Sequence, residues 1–258
     1  MQLGSLARAR GVRVLHLGEI DSTNEEARRL IESGKRGPLW IVASAQKNGR
    51  GRLGREWISP AGNLYTSFVY SGFSEARVAP ELGFVAGVAA IRALRAVIGR
   101  DAFKLKWPND LLFDGAKLGG ILLECVNAST LPTAIIGVGV NVARAPEGLP
   151  YPARALSELG AIAPTAEVLF LHFSDALADT LDLWKGGEGF AAIRTEWLAS
   201  ASALGEDIRV ALSSETLEGR FETIDATGRL VLETASGRRA IEAGDVLLGP
   251  RKTEGARA

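Results

Sequence analysis

The chain has 258 residues, 47% of them hydrophobic, and its thirty lysines and arginines are balanced by thirty aspartates and glutamates. That length and apolar content support one large domain, or one of ordinary size with a small companion. Balanced charge argues against a protein that coats nucleic acid, and no apolar run reaches the roughly 18 residues of a membrane span. The N-terminal stretch also lacks the apolar core of a signal peptide, so a soluble cytoplasmic protein is expected.

Residues 1–13 carry basic charge without a period and read as a frayed terminus. VLHLGEI (14–20) alternates as a short strand. Asp21-Ser22-Thr23-Asn24-Glu25-Glu26 then precedes apolar positions at Ala27, Leu30 and Ile31, and Gly34 closes the pattern. Ser22 with Glu25 three residues later predicts a helix opened by a capping box, with acids in the first turn to suit the helix dipole. LWIVASA (39–45) is a continuous apolar strand that delivers the chain into a loop unlike the rest. There Gly49, Gly51 and Gly54 are interleaved with Lys47, Arg50, Arg52 and Arg55, between Gln46 and Trp57. Glycine lets backbone N–H groups turn toward one point, and arginine adds planar forks that match carboxylate and phosphate. Such a loop is expected to be poorly ordered when empty and to close over an anion.

NLYTSFVY (63–70) alternates as a second strand leaving that loop, and residues 78–98 have helical period up to Gly99. FKLKW (103–107), LLF (111–113) and KLGGILLE (117–124) follow as strands, with Asp114-Gly115 a hairpin turn between the last two. Glu124 is expected to end its strand. Cys125, the chain's one cysteine, excludes an internal disulfide and a cysteine metal site, and its apolar run predicts a buried packing residue. His16 and His172 are too far apart in sequence to suggest a zinc site. AIIGVGVNV (134–142) is a strand with glycines at every second position, so either a ligand or a packing element comes close to its backbone. Prolines and glycines from Arg144 to Pro164 make a long loop or lid, and helices are expected at about 165–185 and 188–203, joined by Gly186-Gly187. From Leu204 four or five short β segments separated by turn signals read as a small barrel. The predicted organisation is a domain over 1–203, the barrel over 204–250, and a solvated, disordered tail over 251–258.

Four elements join the glycine–arginine loop: Lys106-Trp107-Pro108-Asn109-Asp110 on a proline-fixed turn, Lys117 before Gly119-Gly120, Glu124, and Asn141 closing the GVGVN strand. Each alone reads equally well as a turn, a strand-edge cation or a strand terminator. Together, STN (22–24), Q..GRGR.GR.W (46–57), GNLY.S (62–67), KWPNDL (106–111), KLGGIL.E (117–124) and IGVGVNV (136–142) resemble the biotin protein ligases. The resemblance runs from about residue 14 to 250. It implies an α+β fold, a mixed β-sheet flanked by helices. That catalytic fold is shared with lipoate ligases and class II aminoacyl-tRNA synthetases, and here it is followed by a small SH3-like β-barrel. Some family members carry an N-terminal DNA-binding domain. About 20 residues precede STN here, which suggests the ligase-only type that does not bind DNA.

The activity implied is a two-step ligation. Biotin and ATP give biotinyl-5′-AMP and pyrophosphate, and a lysine of a biotin carboxyl carrier protein then takes the acyl group. Nearer alternatives are a lipoate- or octanoate-handling ligase and a non-catalytic adenylate-binding protein; a homodimer is also compatible. Biotin's carboxylate is ionised at neutral pH, so the attack needs charge neutralisation rather than a general base. By resemblance Lys117, Arg50 and Arg52 supply it with Mg²⁺, while Asp110 either organises the Mg²⁺ or orients the incoming amine. Ser22, Thr23, Asn24 and Gln46 are expected to bind biotin's ureido head. Gly49, Gly119, Gly137 and Gly139, with Arg50 and Lys117, are expected to complete the biotin site. Arg52, Arg55, Trp57, Asn109, Asn141 and Lys117 are assigned to the nucleotide, Trp57 beside the adenine.

Overall fold

The computed structural model of the chain describes residues 1–128, 131–160 and 164–248, so the tail expected at 251–258 lies outside the described residues. Two compact units divide at Met1–Ser202 and Ala203–Ala258. No helix among the described residues is long and apolar enough to cross a membrane.

The first unit opens with α1 (Ser5–Ala9), β1 (Arg13–Ile20), α2 (Thr23–Glu32), β2 (Leu39–Gln46) and β3 (Leu64–Tyr70). It continues through α3 (Glu81–Ile98), β4 (Phe103–Lys106), β5 (Asp110–Phe113), β6 (Ala116–Ala128), β7 (Leu131–Val140), α4 (Ala166–Trp184) and α5 (Phe190–Ala199). The seven strands form one mixed sheet in the order β1-β2-β3-β7-β6-β5-β4; β1 and β2 run parallel across the α2 crossover and every other pair is antiparallel. Successive strand residues face opposite sides. Ile41, Val69 and Ile135 accordingly meet Ala27, Leu30 and Ile31 of α2. Trp40 faces the other way, with ring centroids 5.4 Å from both Phe170 and Phe173 of α4. Burial on both faces is why LWIVA is apolar without alternation.

The expected mixed sheet flanked by helices is present, with four local corrections. Residues 1–13 are not frayed: α1 buries Ala7, and the Gly4 and Ala7 amides donate to Ser174 Oγ (2.8 Å) and Asp175 Oδ1 (2.9 Å) of α4. The helix containing Glu81 starts three residues later than its period suggests, because residues 76–78 form a separate 3₁₀ turn. Ser22 caps α2 only through its extended backbone, with no side-chain bond. Glu25 turns outward instead, to Arg50 and Arg28. Finally, Glu124 does not end its strand. β6 runs on to Ala128, but β5 pairs it only as far as Gly120, so Cys125 lies on a stretch with one neighbouring strand and is exposed rather than buried.

Asp114 and Gly115, both at positive φ (46° and 75°), close the β5–β6 hairpin as the sequence predicts. The second unit is a five-stranded antiparallel sheet, order β11-β10-β9-β8-β12. Its strands are β8 (Asp207–Ala211), β9 (Thr216–Ile224), β10 (Leu230–Thr234), β11 (Gly237–Ile241) and β12 (Asp245–Leu247). Val210, Phe221, Ile224, Leu230 and Leu232 are its fully buried centre.

Candidate active site

One cleft gathers the first turn of α2, the end of β2, the glycine–arginine loop and the middle of β3, β6 and β7. Register explains the choice of strand residues. Gly120 pairs with Gly139 and Leu122 with Gly137, while Gly139 and Gly137 pair with Tyr65 and Ser67. Each of these therefore shares the sheet face that α2 covers further along, where Ile135 lies opposite Glu124. Where α2 begins, that face is left open.

The floor at the α2 end is a closed polar network. The Thr23 backbone N–H donates to Gln46 Oε1 at 2.8 Å, and Thr23 Oγ1 lies 3.1 Å from the same oxygen. A side chain from β2 thus satisfies an N–H that the capping box does not. Gln46 Nε2 then donates to Ser59 Oγ (3.0 Å), which donates to the Trp57 carbonyl (2.7 Å). On the other side Ser67 Oγ lies 2.7 Å from Thr23 Oγ1 and donates to Asn24 Oδ1 at 2.5 Å, and Asn24 Nδ2 donates to Glu124 Oε2 at 2.7 Å. Ser22, Thr23, Asn24 and Ser67 are all buried.

Next to this network the strands are bare. Trp57 lies across Gly139 and Gly120: a methyl group built at Gly139 would come within 2.5 Å of the indole nitrogen, and one at Gly120 would sit 3.8 Å from the six-membered ring. The indole N–H is buried and has no hydrogen-bond partner among the described residues. Gly119 has a different reason to be glycine. A side chain there would meet the Gly139 carbonyl at 2.6 Å, so Gly119 serves sheet packing and Gly120 lines the cleft. Gly49 also lies outside the lining, at the closure of the loop, where Trp57 N–H donates to its carbonyl (2.9 Å).

The cations stand at the opposite end and rim. Lys117 Nζ is 2.7 Å from Asp110 Oδ1, 5.6 Å from the Trp57 ring centre and 5.4 Å from that of Tyr151. The second Asp110 oxygen meets Lys106 Nζ at 2.8 Å. Burial alone would raise the Asp110 carboxyl, but Lys117 and then Lys106 outweigh it and hold the group below the ordinary carboxylate range. Arg50 lines the cleft and pairs with Glu25. Arg52 Nη1 is 3.4 Å from Asn109 Oδ1, and Asn109 is itself fixed to β6 by Nδ2 donating to the Ile121 carbonyl (2.8 Å). Arg55 is exposed and donates to the Arg52 carbonyl (3.2 Å).

Beyond Trp57 a second pocket is lined by Ile58, Asn141, Pro146, Leu149 and Tyr151. Asn141 Nδ2 donates to the Arg154 carbonyl at 3.3 Å, and its Oδ1 is buried without a partner among the described residues. The Pro152–Arg154 segment is tied to Lys117 on both sides, with Lys117 N–H donating to Pro152 O (2.8 Å) and Arg154 N–H to Lys117 O (2.9 Å). Nine of the residues assigned a ligand or catalytic role from sequence therefore line the first cleft: Ser22, Thr23, Asn24, Gln46, Arg50, Trp57, Asn109, Gly137 and Gly139. Lys117, Asp110 and Arg52 stand beside it, and Asn141 is across Trp57. From the sequence Ser67 is read only as the end of the GNLY.S motif and Glu25 only as a capping residue; neither is assigned to the site. A lone serine inside a strand of aromatic and β-branched residues was the available signal for the first.

The Biotin/lipoate A/B protein ligase family model matches residues 18–141, and the Biotin protein ligase C terminal domain model matches residues 203–249. The chain is 39% identical to a biotin–[acetyl-CoA-carboxylase] ligase of Paracoccus denitrificans over 90% of this chain and 99% of that protein. It is 31% identical to the bifunctional ligase/repressor BirA of Escherichia coli over 88% of this chain and 71% of that one. The structure of an Aquifex aeolicus biotin protein ligase in complex with biotin and ATP superposes with a TM-score of 0.78, at 28% identity, covering 91% of this chain and 97% of that one.

Proposed function

The chain belongs to the biotin/lipoate A/B protein ligase family as a biotin protein ligase, and we propose that it works through biotinyl-5′-AMP to modify a carrier-protein lysine. The observation that carries this reading is the polarity of the cleft. A closed network of neutral donors and acceptors lies at one end, bare glycine backbone in the middle and ammonium and guanidinium groups at the other. Biotin has the same order: a neutral ureido ring, an apolar chain and a carboxylate.

The ring seats against Ser22, Thr23, Asn24 and Gln46, and the chain runs over Gly120, Gly137 and Gly139. An analogue without the polar head covers those groups without offering their remaining lone pairs and donors a hydrogen bond in return, which is a basis for rejection. A dithiolane ring has nothing to offer them, and this favours biotin over lipoate. The carboxylate reaches Lys117 and Arg50. In the first step a carboxylate oxygen bonds to the α-phosphorus of ATP and the bond to pyrophosphate breaks. Both partners are anions, so Lys117, Arg50 and Arg52 act by neutralising the charge that builds on the phosphoryl oxygens. In the second step the neutral ε-amine of the carrier lysine attacks the acyl carbon, AMP leaves, and the amine's extra proton passes to solvent or to a nearby carboxylate. Asp110 positions Lys117 for the first step and stands where it can orient the amine in the second.

For the nucleotide, the pocket formed by Trp57, Pro146, Leu149 and Tyr151 offers flat apolar walls for adenine, with the uncommitted Asn141 Oδ1 to accept from its amino group. Among the described residues no three His, Cys, Asp or Glu side chains gather to hold a metal, and both Asp110 oxygens already face ammonium groups. These residues do not fit a resident metal ion. Mg²⁺ is read here as arriving with ATP, liganded by phosphate oxygens and water. The Paracoccus relative's name makes the carrier domain of acetyl-CoA carboxylase the first partner to try.

The test is pyrophosphate exchange into ATP with biotin or lipoate, followed by transfer to a purified carrier domain. Exchange that requires biotin, and a carrier whose acceptor lysine gains a biotinyl amide, are expected. Exchange driven by lipoate instead would overturn the substrate assignment.

A further inference from the structure

Glu124 does not line the cleft, yet it governs what the cleft floor offers. Its carboxylate has two donors, Asn24 Nδ2 at 2.7 Å and Arg28 Nη2 at 2.8 Å. An ionised carboxylate only accepts hydrogen bonds. The Asn24 carboxamide must therefore turn its NH₂ toward Glu124 and its Oδ1 the other way. That oxygen accepts from Ser67 Oγ at 2.5 Å and lies over Gly137, where any side chain would collide with it. Asn24 and Ser67 are buried, so neither can exchange these partners for water. Ser67 Oγ in turn lies 2.7 Å from Thr23 Oγ1, which lies 3.1 Å from Gln46 Oε1. The orientation of one amide thus propagates through the whole network.

We infer that Glu124 is a positioning residue for recognition of the ligand's head group: it locks the Asn24 carboxamide so that the floor presents an acceptor, matched to a ring N–H. This rests on the biotin reading of the cleft. Without Glu124, rotation of the amide by half a turn about its last side-chain bond places its NH₂ beside Ser67 and Gly137. The ring N–H then meets a donor. A planar amide has two nearly equivalent rotamers, so its partners choose between them: Glu124 at 2.7 Å is the strong one, and the Leu122 carbonyl, 3.5 Å from Nδ2, favours the same orientation only weakly. Arg28 completes the device. It spans Glu25 and Glu124, 3.8 Å and 2.8 Å away, and so holds the carboxylate on the Asn24 side.

The inference is tested by a double-mutant cycle on biotin affinity in the full chain, by calorimetric titration of wild type, Glu124→Ala, Asn24→Ala and the double variant. Glu124→Ala is expected to weaken biotin about tenfold, equivalent to ~1.4 kcal/mol. The rate of pyrophosphate exchange at saturating biotin should stay within about twofold of wild type, because ground-state and transition-state binding fall together. The double variant should bind no more weakly than Asn24→Ala alone, since the effect passes through that amide. Glu124→Gln, whose carbonyl oxygen still accepts from Asn24, should recover most of the affinity; if Glu124→Ala does not fold, the cycle is run with Glu124→Leu, which fills more of the space but offers no acceptor. Additive losses, or a folded Glu124→Ala protein that binds biotin like wild type, overturn the inference and leave the biotin assignment standing. A wild-type protein that does not bind biotin overturns both.

Discussion

The floor of the cleft and the loop beside it are built on opposite principles. Floor residues sit on strands and a helix end, and the side chains of Thr23, Asn24, Gln46 and Ser67 are bonded to one another or to equally fixed neighbours. The loop of residues 47–56 is largely exposed, carries four cations, and is joined to the body by two backbone amides and by ionic or polar contacts of its side chains. Lys47 and Asn48 amides donate to the Ile20 and Asp21 carbonyls (2.8 and 2.9 Å), and Arg50 pairs with Glu25. A neutral ring is distinguished by hydrogen-bond geometry, which rewards rigidity. A phosphate is held by charge, which acts at longer range and tolerates movement. On the proposed biotin reading, one site divides recognition from charge handling between two kinds of structure.

Lys117 belongs to both halves, so its loss gives the largest effect. It springs from a sheet strand and is held by Asp110, yet its ammonium lies at the cationic end. Lys117→Gln is expected to cost at least about 100-fold in biotin-dependent pyrophosphate exchange, the scale of losing one preorganised charge donor. The fold and most of the biotin affinity should survive, because Lys106 still neutralises Asp110. Near-normal exchange in a folded variant would remove Lys117 from the chemistry.

The two halves should then fail in different ways. Gly137→Ala drives a methyl group into the Asn24 amide. It should weaken biotin by about tenfold or more, within the ~1–3 kcal/mol typical of overpacking. Gly83→Ala on α3, where a methyl group meets nothing within 4 Å, should leave biotin binding unchanged. Arg52→Gly acts on the rim: biotin affinity should change little, while biotinyl-5′-AMP escapes into solution at several times the wild-type rate. Measuring free adenylate after rapid filtration decides this. A floor variant that leaks adenylate, or a rim variant that loses biotin, would erase the distinction between the two halves.

The sequence announced the rim more clearly than the floor. Glycines alternating with arginines are a local pattern, and Lys117 after an Asp-Gly turn is placed by its neighbours alone. Floor partners are not local. Ser67 and Glu124 reach Asn24 only because β3, β7 and β6 bring residues 67, 137 and 122 into line, and that register is invisible until the strand order is known. The capping box fails partly for the same reason: Arg50, 25 positions away, draws Glu25 outward, and the Ser22 amide that Glu25 would have met goes to the neighbouring Asp21 carboxylate. Cys125 was misplaced because an apolar run shows that a strand exists, not how far its neighbours accompany it. Gly119 and Gly120 look alike in sequence, and the pleat alone decides which of them faces the cleft.

The smallest expected effect concerns where the loop is anchored. Asp21 accepts Asn48 N–H through its backbone, and its carboxylate takes both terminal nitrogens of Arg29 at 2.8 Å and the Ser22 amide at 2.7 Å. The Arg29 fork, first among these, holds the Asp21 carboxyl at about 2 against an ordinary 3.8. A folded-state value below the unfolded one means that the group stabilises the protein above the unfolded value and loses that contribution as pH falls toward the folded one. The window is therefore about pH 4 down to about pH 2. The pair is well exposed, so screening keeps its worth under ~1 kcal/mol. In a protein of this size that is a shift of roughly 2–4 °C or less in thermal midpoint. Asp21→Asn should thus melt slightly below wild type at pH 7, with the gap closing as the pH is lowered through 4 and narrowing in high salt at neutral pH. Scanning calorimetry of both proteins across that range is the measurement. A gap that persists undiminished to pH 2 would mean that Asp21 supports the loop through its shape and backbone, and that charge plays no part in fixing the base of the rim.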